Sequence, residues 1–286
     1  MAAHVLVTDV VLRDGLQDEP VVVPVADRIT IAEALVAAGV RAMEAASFVN
    51  PARVPQMVGA EELLAALPAS DRVTYSVLAL NARGVTRAVA AGATEVNLVT
   101  SASQSHSRAN AGRSVDDALA DLAGVVAAHS DVKFVGGIST AFVCPFDGVI
   151  DPGHLADVAM RFAAIGVSRI GLADTVGTAT TPQVVTALTA VRDALPTMEL
   201  SLHLHNAHGQ ALRSIDAALD LGINRFDAAA GGYGGCPFAP GAHGNVATEA
   251  LVAHLHHRGV DTGINETALA EAVALIKTML AGATPV

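Results

Sequence analysis

The sequence contains no tryptophan and few other aromatic residues, which make up 3% of its 286 positions. A hydrophobic fraction of 52% still allows a large core, which must be built from alanine, valine, leucine and isoleucine. Only two cysteines are present, Cys144 and Cys236, and this number excludes a disulfide framework. We expect both to be free thiols in a reducing compartment.

Cationic residues are also scarce, because 17 lysines and arginines stand against 28 aspartates and glutamates and leave a formal net charge of -11. This balance argues against a general nucleic-acid-binding surface, and an anionic substrate would need local cations or a metal ion. No apolar run reaches membrane-spanning length without glycine, proline or charge, and residues 1–5 contain no cationic stretch. We therefore expect a cytoplasmic protein with a small-molecule substrate and neither a nucleic-acid nor a membrane partner.

Short β-branched runs alternate along the chain with longer, alanine-rich helical patterns. Eight runs predict strands, namely Val5–Thr8, Ala42–Ala46, Val73–Ala79, Glu95–Val99, Val132–Ser139, Arg169–Ala173, Glu199–His205 and Arg225–Ala229. The intervening helices are predicted to begin near Val25, Val54, Ala82, Ser114, Pro152, Thr181, Gly209 and Gly244. Several of these helices run into a glycine just before the next strand, as at Gly39 and Gly166, which is a common way for a helix to end.

This strict alternation of eight strands and eight helices predicts an α/β fold, the (β/α)8 TIM barrel. A doubly wound open sheet is the alternative, but no glycine-rich dinucleotide fingerprint follows the first strand. Residues beyond Asn265 predict an extra C-terminal helix on the outside of the barrel. Because no linker or shift in composition divides the chain, we expect residues 1–286 to form a single catalytic domain.

Two histidines close the seventh predicted strand in the order His203-Leu204-His205. Alternate residues of a strand point to the same face, so the two imidazoles make half of a metal site. In a (β/α)8 barrel the C-terminal ends of all strands meet at one mouth. Asp14 follows the first strand and Asn245 follows the eighth, so carboxylate, amide and imidazole ligands would surround one centre. Such a mixed set suits Mg²⁺, Mn²⁺ or another divalent ion.

Several of these residues also have a purely structural interpretation. Asp14 precedes a glycine and could simply belong to a turn. Asp174-Thr175 closes the sixth strand and is as compatible with a helix cap as with a functional role. Asn245 could also cap a helix. These alternatives stay open at the level of single residues.

Other candidates are less easily explained by local structure. Glu44 lies within the second strand among apolar residues, where a carboxylate is expected to be buried and to need a partner. Cys236 follows the glycine-rich run 230–235, which favours a mobile loop over a core position. Cys144 is expected to be structural, and His106 is expected to be a surface residue of a loop.

Taken together, these residues resemble the hydroxymethylglutaryl-CoA lyase branch of the metal-dependent lyases and acyltransferases that share a (β/α)8 barrel. The matching segments are Arg13–Gln17, Ser47–Pro51, Val54–Met57, Cys144–Gly148, Ala173–Gly177, His203–His205, Gly234–Ala239 and Gly244–Glu249. They follow the family in order over almost the whole chain. The Gly-Gly-Cys-Pro segment with its trailing Gly-Asn is specific to this branch, whereas the Arg-Asp-Gly and His-x-His segments are shared more widely.

The resemblance implies cleavage of a 3-hydroxyacyl-CoA to acetyl-CoA and a keto acid, in an enzyme of leucine degradation or ketone-body formation that is often a dimer. The implied ligands of the divalent cation, Mg²⁺ or Mn²⁺, are Asp14, His203, His205 and Asn245. The implied substrate-binding and CoA-binding residues are Arg13, Gln17, Asn50 and Thr175.

The resemblance also implies catalytic roles. Arg13 would stabilise the enolate of the acetyl thioester, and Cys236 would deliver a proton to the enolate carbon. His203, alone or with Asp14, would move the hydroxyl proton. Glu44 would orient Arg13 or metal-bound water, while Asp174 would take part in proton handling or positioning.

Five positions depart from the family pattern. Pro20 stands where a lysine is usual, and Val135 stands where an arginine is usual. Asn50, Asn206 and His208 replace a serine, an aspartate and a tyrosine. The metal and proton-transfer positions are thus kept while cationic surroundings are lost, so we expect recognition of the carboxylate or of CoA to differ.

Three other functions are weighed against a lyase of this kind. A related aldolase or an acetyl-transferring synthase would act on another hydroxy or keto acid, but the synthases commonly carry a C-terminal regulatory region. A metallohydrolase barrel typically has its His-x-His on the first strand rather than the seventh. A non-enzymatic barrel would be favoured by loss of Arg13 or Cys236, and both are present.

Overall fold

Eight parallel strands close into a barrel in the computed structural model, which describes residues 4–68, 71–235 and 244–286. The strands are β1 (Leu6–Asp9), β2 (Ala42–Ser47), β3 (Thr74–Ala79), β4 (Glu95–Ser101), β5 (Lys133–Ser139), β6 (Arg169–Asp174), β7 (Glu199–Leu204) and β8 (Arg225–Ala228). Each strand pairs with the next in chain order, and β1 also pairs with β8, which closes the sheet. The predicted (β/α)8 barrel is confirmed.

Ten α-helices lie in the described ranges and surround the barrel. They are α1 (Val25–Ala37), α2 (Ala60–Ala66), α3 (Ala82–Ala90), α4 (Gln104–Ala111), α5 (Val115–Ala128), α6 (Pro152–Ile165), α7 (Thr181–Ala194), α8 (Ala211–Asp220), α9 (Thr248–His257) and α10 (Glu266–Gly282). Ser114 and Asp151 cap α5 and α6 through their side chains, as their sequence positions indicate. The predicted extra C-terminal helix is α10. None of these helices is long and apolar enough to cross a membrane.

Some local features differ from the prediction. The helix α4 is additional, and α2 begins at Ala60 because a 3₁₀ turn, Pro55–Met57, comes first. The helix α9 begins at Thr248 rather than near Gly244, because residues 244–247 are extended and bridge to the ends of β7 and β8. Two short antiparallel pairs also form, one between Val21–Val22 and Thr284–Pro285 and the other between Val143–Cys144 and Gly148–Val149.

An ion-pair network closes the N-terminal end of the barrel. The carboxylate of Glu95 on β4 lies 3.0 Å from the Arg169 guanidinium and 3.1 Å from Lys133 Nζ. Both Glu95 and Arg169 are buried, and a buried charge is tolerated only when it is paired in this way. These paired charges lie at the first residues of their strands, at the end of the barrel opposite the C-terminal ends of the strands.

Candidate active site and metal centre

A cavity of about 450 Å³ lies at the C-terminal ends of the strands and extends into the barrel. Small residues on neighbouring strands line the cavity and leave room for it, among them Gly137 on β5, Gly171 on β6 and Ser201 on β7. Its walls also carry several side chains that the sequence singles out, namely Arg13, Asp14, Glu44, His203 and His205. The C-terminal end of a TIM barrel is where its active site is found, so the position of the cavity favours a catalytic role.

Asp14, His203 and His205 converge on one point at the wall of this cavity. The Nε2 atoms of His203 and His205 lie 3.1 Å apart, and each lies 3.7 Å from Asp14 Oδ2. The ligand atoms of all three residues lie within 4.8 Å of one another. The strand therefore presents both imidazoles to one side, and the chain segment after β1 adds the carboxylate.

A π-helical turn, Val11–Gly15, brings Asp14 to this position. The Gly15 backbone nitrogen donates to the Val10 carbonyl at 3.1 Å, which is the wide i to i+5 hydrogen bond of such a turn. Asp14 is buried as a result. Turns of this type occur frequently at functional sites.

Asn245 reaches the same point through a backbone pairing. Its segment runs antiparallel to the end of β7, where Asn245 bridges to His205. The Val246 backbone nitrogen donates to the Leu204 carbonyl at 3.2 Å. The Asn245 Nδ2 atom then donates to Asp14 Oδ2 at 2.6 Å, so the amide and the carboxylate are in direct contact.

These four residues fit a divalent cation. Two nitrogen ligands about 2.1 Å from one ion and at right angles to each other lie about 3 Å apart, close to the spacing of the two imidazoles. The Oδ1 atom of Asn245 is buried and has no hydrogen-bond partner within the described ranges, so this oxygen is available to bind a cation. Although burial acts to raise the pKa of Asp14, the charge of Arg13 and the two imidazoles hold it well below its usual range. The carboxylate is thus ionised, as a metal ligand must be.

Arg13 lies beside the cluster, and its side chain is 11% exposed. It donates through Nη1 to Asp14 Oδ1 and through Nε to Glu44 Oε2. The other oxygen of Glu44 accepts a hydrogen bond from Asn97 Nδ2 at 2.5 Å. Burial acts to lower the pKa of Arg13, but the charges of Asp14 and Glu44 raise it above its usual value. A fixed positive charge therefore faces the cavity, and the partner that Glu44 requires is Arg13.

Asp227 on β8 is a site residue that the sequence analysis did not identify. It pairs in register with His203, and its Oδ2 atom lies 3.3 Å from His203 Nδ1. Burial acts to lower the pKa of His203, but the hydrogen bond with Asp227 and the charge of Asp14 raise it. Because Nδ1 is bound by a carboxylate, Nε2 is left facing the cluster. A lone aspartate between apolar residues of a predicted strand was the signal that could have revealed it.

The predicted substrate-binding residues occupy different environments. Gln17 and Thr175 both line the cavity. Thr175 is buried, and its hydroxyl accepts a hydrogen bond from the Thr140 backbone nitrogen at 2.8 Å. Asn50 is exposed and lies outside the residues that line the cavity, and its Oδ1 atom accepts a hydrogen bond from the Ala52 backbone nitrogen at 3.0 Å. Its observed contact is therefore within its own turn.

Two predicted catalytic residues remain. The Asp174 carboxylate accepts hydrogen bonds from the backbone nitrogens of Gly177 and Ala179, both at 3.1 Å, and so shapes the loop after β6. Burial raises the pKa of Asp174 above its ordinary value despite these bonds. Cys236 lies outside the described residues.

Asp18 and Arg53 also line the cavity and were not anticipated. Burial and the nearby Asp14 charge raise the pKa of Asp18 from 3.8 to about 7. Arg53 is exposed at the cavity, and its guanidinium makes no ion pair with any residue that the structure describes. Val135 also lines the cavity, so the position where an arginine is usual in the family presents an apolar surface.

Comparison with known proteins identifies the family. The HMGL-like family model matches residues 4–276. Mouse mitochondrial hydroxymethylglutaryl-CoA lyase is 38% identical over 271 residues, which cover 94% of this chain and 83% of that protein. The (R)-citramalyl-CoA lyase of Chloroflexus aurantiacus is 40% identical over 277 residues, which cover 93% of this chain and 87% of that protein.

Solved structures of the same kind of lyase are also similar to this chain. The HMG-CoA lyase from Brucella melitensis has a TM-score of 0.93 and 37% identity, covering 98% of this chain and 100% of that chain. An HMG-CoA lyase from Acinetobacter baumannii, solved in complex with coenzyme A and 3-methylmalate, also has a TM-score of 0.93 and 37% identity, covering 99% and 93%. The resemblance indicated by the sequence motifs is confirmed. The chain belongs to the HMGL-like family and is a hydroxymethylglutaryl-CoA lyase-like carbon–carbon lyase.

Proposed function

We propose that this protein is a divalent-metal-dependent lyase that cleaves 3-hydroxy-3-methylglutaryl-CoA, or a close 3-hydroxyacyl-CoA analogue, to acetyl-CoA and acetoacetate or the matching keto acid. The observation that carries the proposal is the convergence of Asp14, His203 and His205 beside the largely buried Arg13 in one cavity. Residues 1–286 would act as one catalytic domain. A cytoplasmic location, a dimeric state and a role in leucine degradation or ketone-body formation stay predictions.

The cation, Mg²⁺ or Mn²⁺, would be held by Asp14, His203, His205 and Asn245. When bound, it would polarise the substrate oxygens and bring deprotonation of the tertiary hydroxyl into the neutral pH range. The chain supplies the remaining parts of the mechanism. His203, fixed at Nδ1 by Asp227, would help Asp14 to move the hydroxyl proton.

Cleavage of the carbon–carbon bond leaves negative charge on the acetyl-thioester fragment. Arg13 carries a largely buried positive charge that Glu44 and Asp14 hold in one orientation, so it would stabilise this enolate without having to reorganise. Cys236 would then return a proton to the enolate carbon and complete acetyl-CoA. Gln17 and Thr175 would contact the substrate from the cavity wall.

A second substrate, citramalyl-CoA, is favoured by a specific similarity. A citramalyl-CoA lyase is 40% identical to this chain, as close as the hydroxymethylglutaryl-CoA lyases. Citramalyl-CoA is one methylene shorter on its carboxylate arm, so the carboxylate would need different partners. Val135 lines the cavity and Pro20 lies on the surface, so neither supplies the cationic group usual in the family at these positions.

The test is a direct comparison of the two thioesters. Acetyl-CoA release is measured with the full-length chain and saturating Mg²⁺ or Mn²⁺, first from hydroxymethylglutaryl-CoA and then from citramalyl-CoA. We expect turnover of at least one, with the ratio of their kcat/KM values naming the substrate. Folded, metal-loaded protein that releases acetyl-CoA from neither would contradict the proposal.

A further inference from the structure

His106 is a buried residue of the cavity wall, although the sequence suggests a surface loop. It lies in the first turn of α4, where the Ser103 hydroxyl caps the helix and accepts a hydrogen bond from the His106 backbone nitrogen at 2.9 Å. The residue is 1% exposed, and it lines the cavity. In the strand order, β4 lies four positions from β8. His106 therefore lies across the barrel from the predicted metal ligands.

A buried chain of hydrogen bonds holds the ring. The Nδ1 atom of His106 lies 3.1 Å from Ser101 Oγ, which lies 2.7 Å from Thr140 Oγ1. The Thr140 backbone nitrogen then donates to Thr175 Oγ1 at 2.8 Å. All four residues are buried. The ends of β4, β5 and β6 are thus joined into one polar wall, and the imidazole is pre-oriented on it.

The backbone of this wall is strained at one residue. Thr140 has a φ of 50°, and among the described residues it is the non-glycine residue with a positive φ. A β-branched side chain strongly disfavours this left-handed conformation, so the surrounding structure must hold it. Such positions cluster at functional sites. This observation is independent of the hydrogen bonds and points to the same wall.

The second ring nitrogen of His106 has no hydrogen-bond partner among residues 4–68, 71–235 and 244–286, and it is buried. Burial also lowers the pKa of the ring, which favours the neutral imidazole. A buried polar atom without a partner is unfavourable unless a ligand supplies one. Three arginines line the cavity. Arg13 is engaged by Glu44 and Arg169 by Glu95, which leaves the exposed Arg53 without an ion pair among the described residues.

We propose that His106 is a substrate-recognition residue whose Nε2–H donates a hydrogen bond to an acceptor oxygen of the acyl-CoA, either its terminal carboxylate or a carbonyl of its pantetheine arm. The proposal rests on the proposed acyl-CoA substrate and deepens it. When the Ser101 hydroxyl donates to Nδ1, the ring proton lies on Nε2 and can be donated. The wall remote from the metal ligands then contributes a specific polar contact.

The test replaces the imidazole with a ring of similar size that has no nitrogen. For His106→Phe we expect kcat/KM for hydroxymethylglutaryl-CoA to fall about 10-fold or more, because a buried substrate oxygen loses its donor. Inhibition constants are measured in parallel for 3-hydroxy-3-methylbutyryl-CoA, which lacks the terminal carboxylate, and for CoA itself. A lower kcat/KM for hydroxymethylglutaryl-CoA with both inhibition constants unchanged would identify the terminal carboxylate as the acceptor. A lower kcat/KM together with weaker inhibition by both CoA compounds would identify the pantetheine arm.

His154→Phe is the matched control, because His154 Nε2 already bonds the Ala102 carbonyl at 2.8 Å. It should leave all three constants within about twofold of the wild type. Ser101→Ala keeps the imidazole but removes the hydroxyl that fixes its tautomer, so we expect a smaller loss in the same pattern. Constants unchanged in both folded variants, His106→Phe and Ser101→Ala, would overturn the inference. Failure of the proposed function can be distinguished from failure of the inference about His106, because in the first case the wild type itself would not turn over the thioester.

Discussion

The ion pair between Arg13 and Glu44 offers the sharpest test of how the site works. The Glu44 carboxylate accepts one hydrogen bond from Arg13 Nε and another from Asn97 Nδ2. Glu44→Gln keeps the shape of the side chain but leaves only one acceptor oxygen for two donors. One donor must then lose its partner in a buried setting. Arg13 also loses one of the two carboxylate charges that hold its orientation, while the ion pair with Asp14 remains.

The magnitude follows from the type of bond that is lost. A buried hydrogen bond to a charged group contributes about 1.5–3 kcal/mol. If this contribution positions Arg13 for the charge that develops during cleavage, kcat/KM falls by about 10- to 150-fold. The loss should appear mainly in kcat, since the interaction is proposed to matter most as the enolate forms.

Glu95→Gln is the matched control, because Glu95 is also a buried glutamate paired with an arginine, at the opposite end of the same barrel. Both variants are assayed for acetyl-CoA release at saturating metal, and their melting temperatures are compared. We expect both to be less stable than the wild type, while only Glu44→Gln loses activity beyond about twofold in its folded form. Equal kcat/KM values for the two folded variants would refute the positioning role of Glu44.

Three further predictions concern the surroundings of the site. A Cβ on Gly234, whose φ is 101°, would lie 2.5 Å from Asn245 Nδ2. Gly234→Ala should therefore weaken Mn²⁺ binding in a titration. Gly92→Ala is the control, because Gly92 has a φ of 92° but its Cβ would have no atom within 4 Å, and it should leave Mn²⁺ binding unchanged. Burial raises the pKa of Asp9 from 3.8 to about 6, so the folded state favours the protonated carboxyl group. The stability that this group contributes is therefore present below pH 4 and is lost as the pH rises through 6. In urea unfolding, the free energy of unfolding of the wild type should fall by on the order of 3 kcal/mol relative to that of Asp9→Asn between pH 4 and 7. The same dependence of this free energy on pH in both proteins would contradict the prediction. Arg53→Ser should raise KM for the anionic thioester several-fold with little change in kcat, and an unchanged KM would exclude Arg53 from binding.

The barrel could be predicted because its signals are local and repeated. Gly39, Gly92, Gly166 and Gly222 all adopt positive φ at helix ends, as their positions before strands indicate. The helix α4 was missed because its first turn is rich in polar residues, although Ser103 is an ordinary N-cap. The burial of His106 and Ser107 within this helix depends on packing against the barrel, which the sequence of a single segment does not reveal.

The site could be predicted in part, for a related reason. Alternation along β7 places His203 and His205 together, which follows from strand geometry alone. The contact of Asn245 with Asp14 depends on a π-helical turn and on an antiparallel bridge beside β7, and neither has a clear local signature. Asp227 was missed because its role arises from the register between neighbouring strands.

Titration of the metal-stripped, full-length chain with Mn²⁺ tests the central claim most directly. Acetyl-CoA release from hydroxymethylglutaryl-CoA and from citramalyl-CoA is followed at each step of the titration. We predict no release without metal and a rise that saturates at one equivalent per chain, because Asp14, His203, His205 and Asn245 form one site. Full turnover without metal, or a site filled with Mn²⁺ that releases no acetyl-CoA from either thioester, would contradict it.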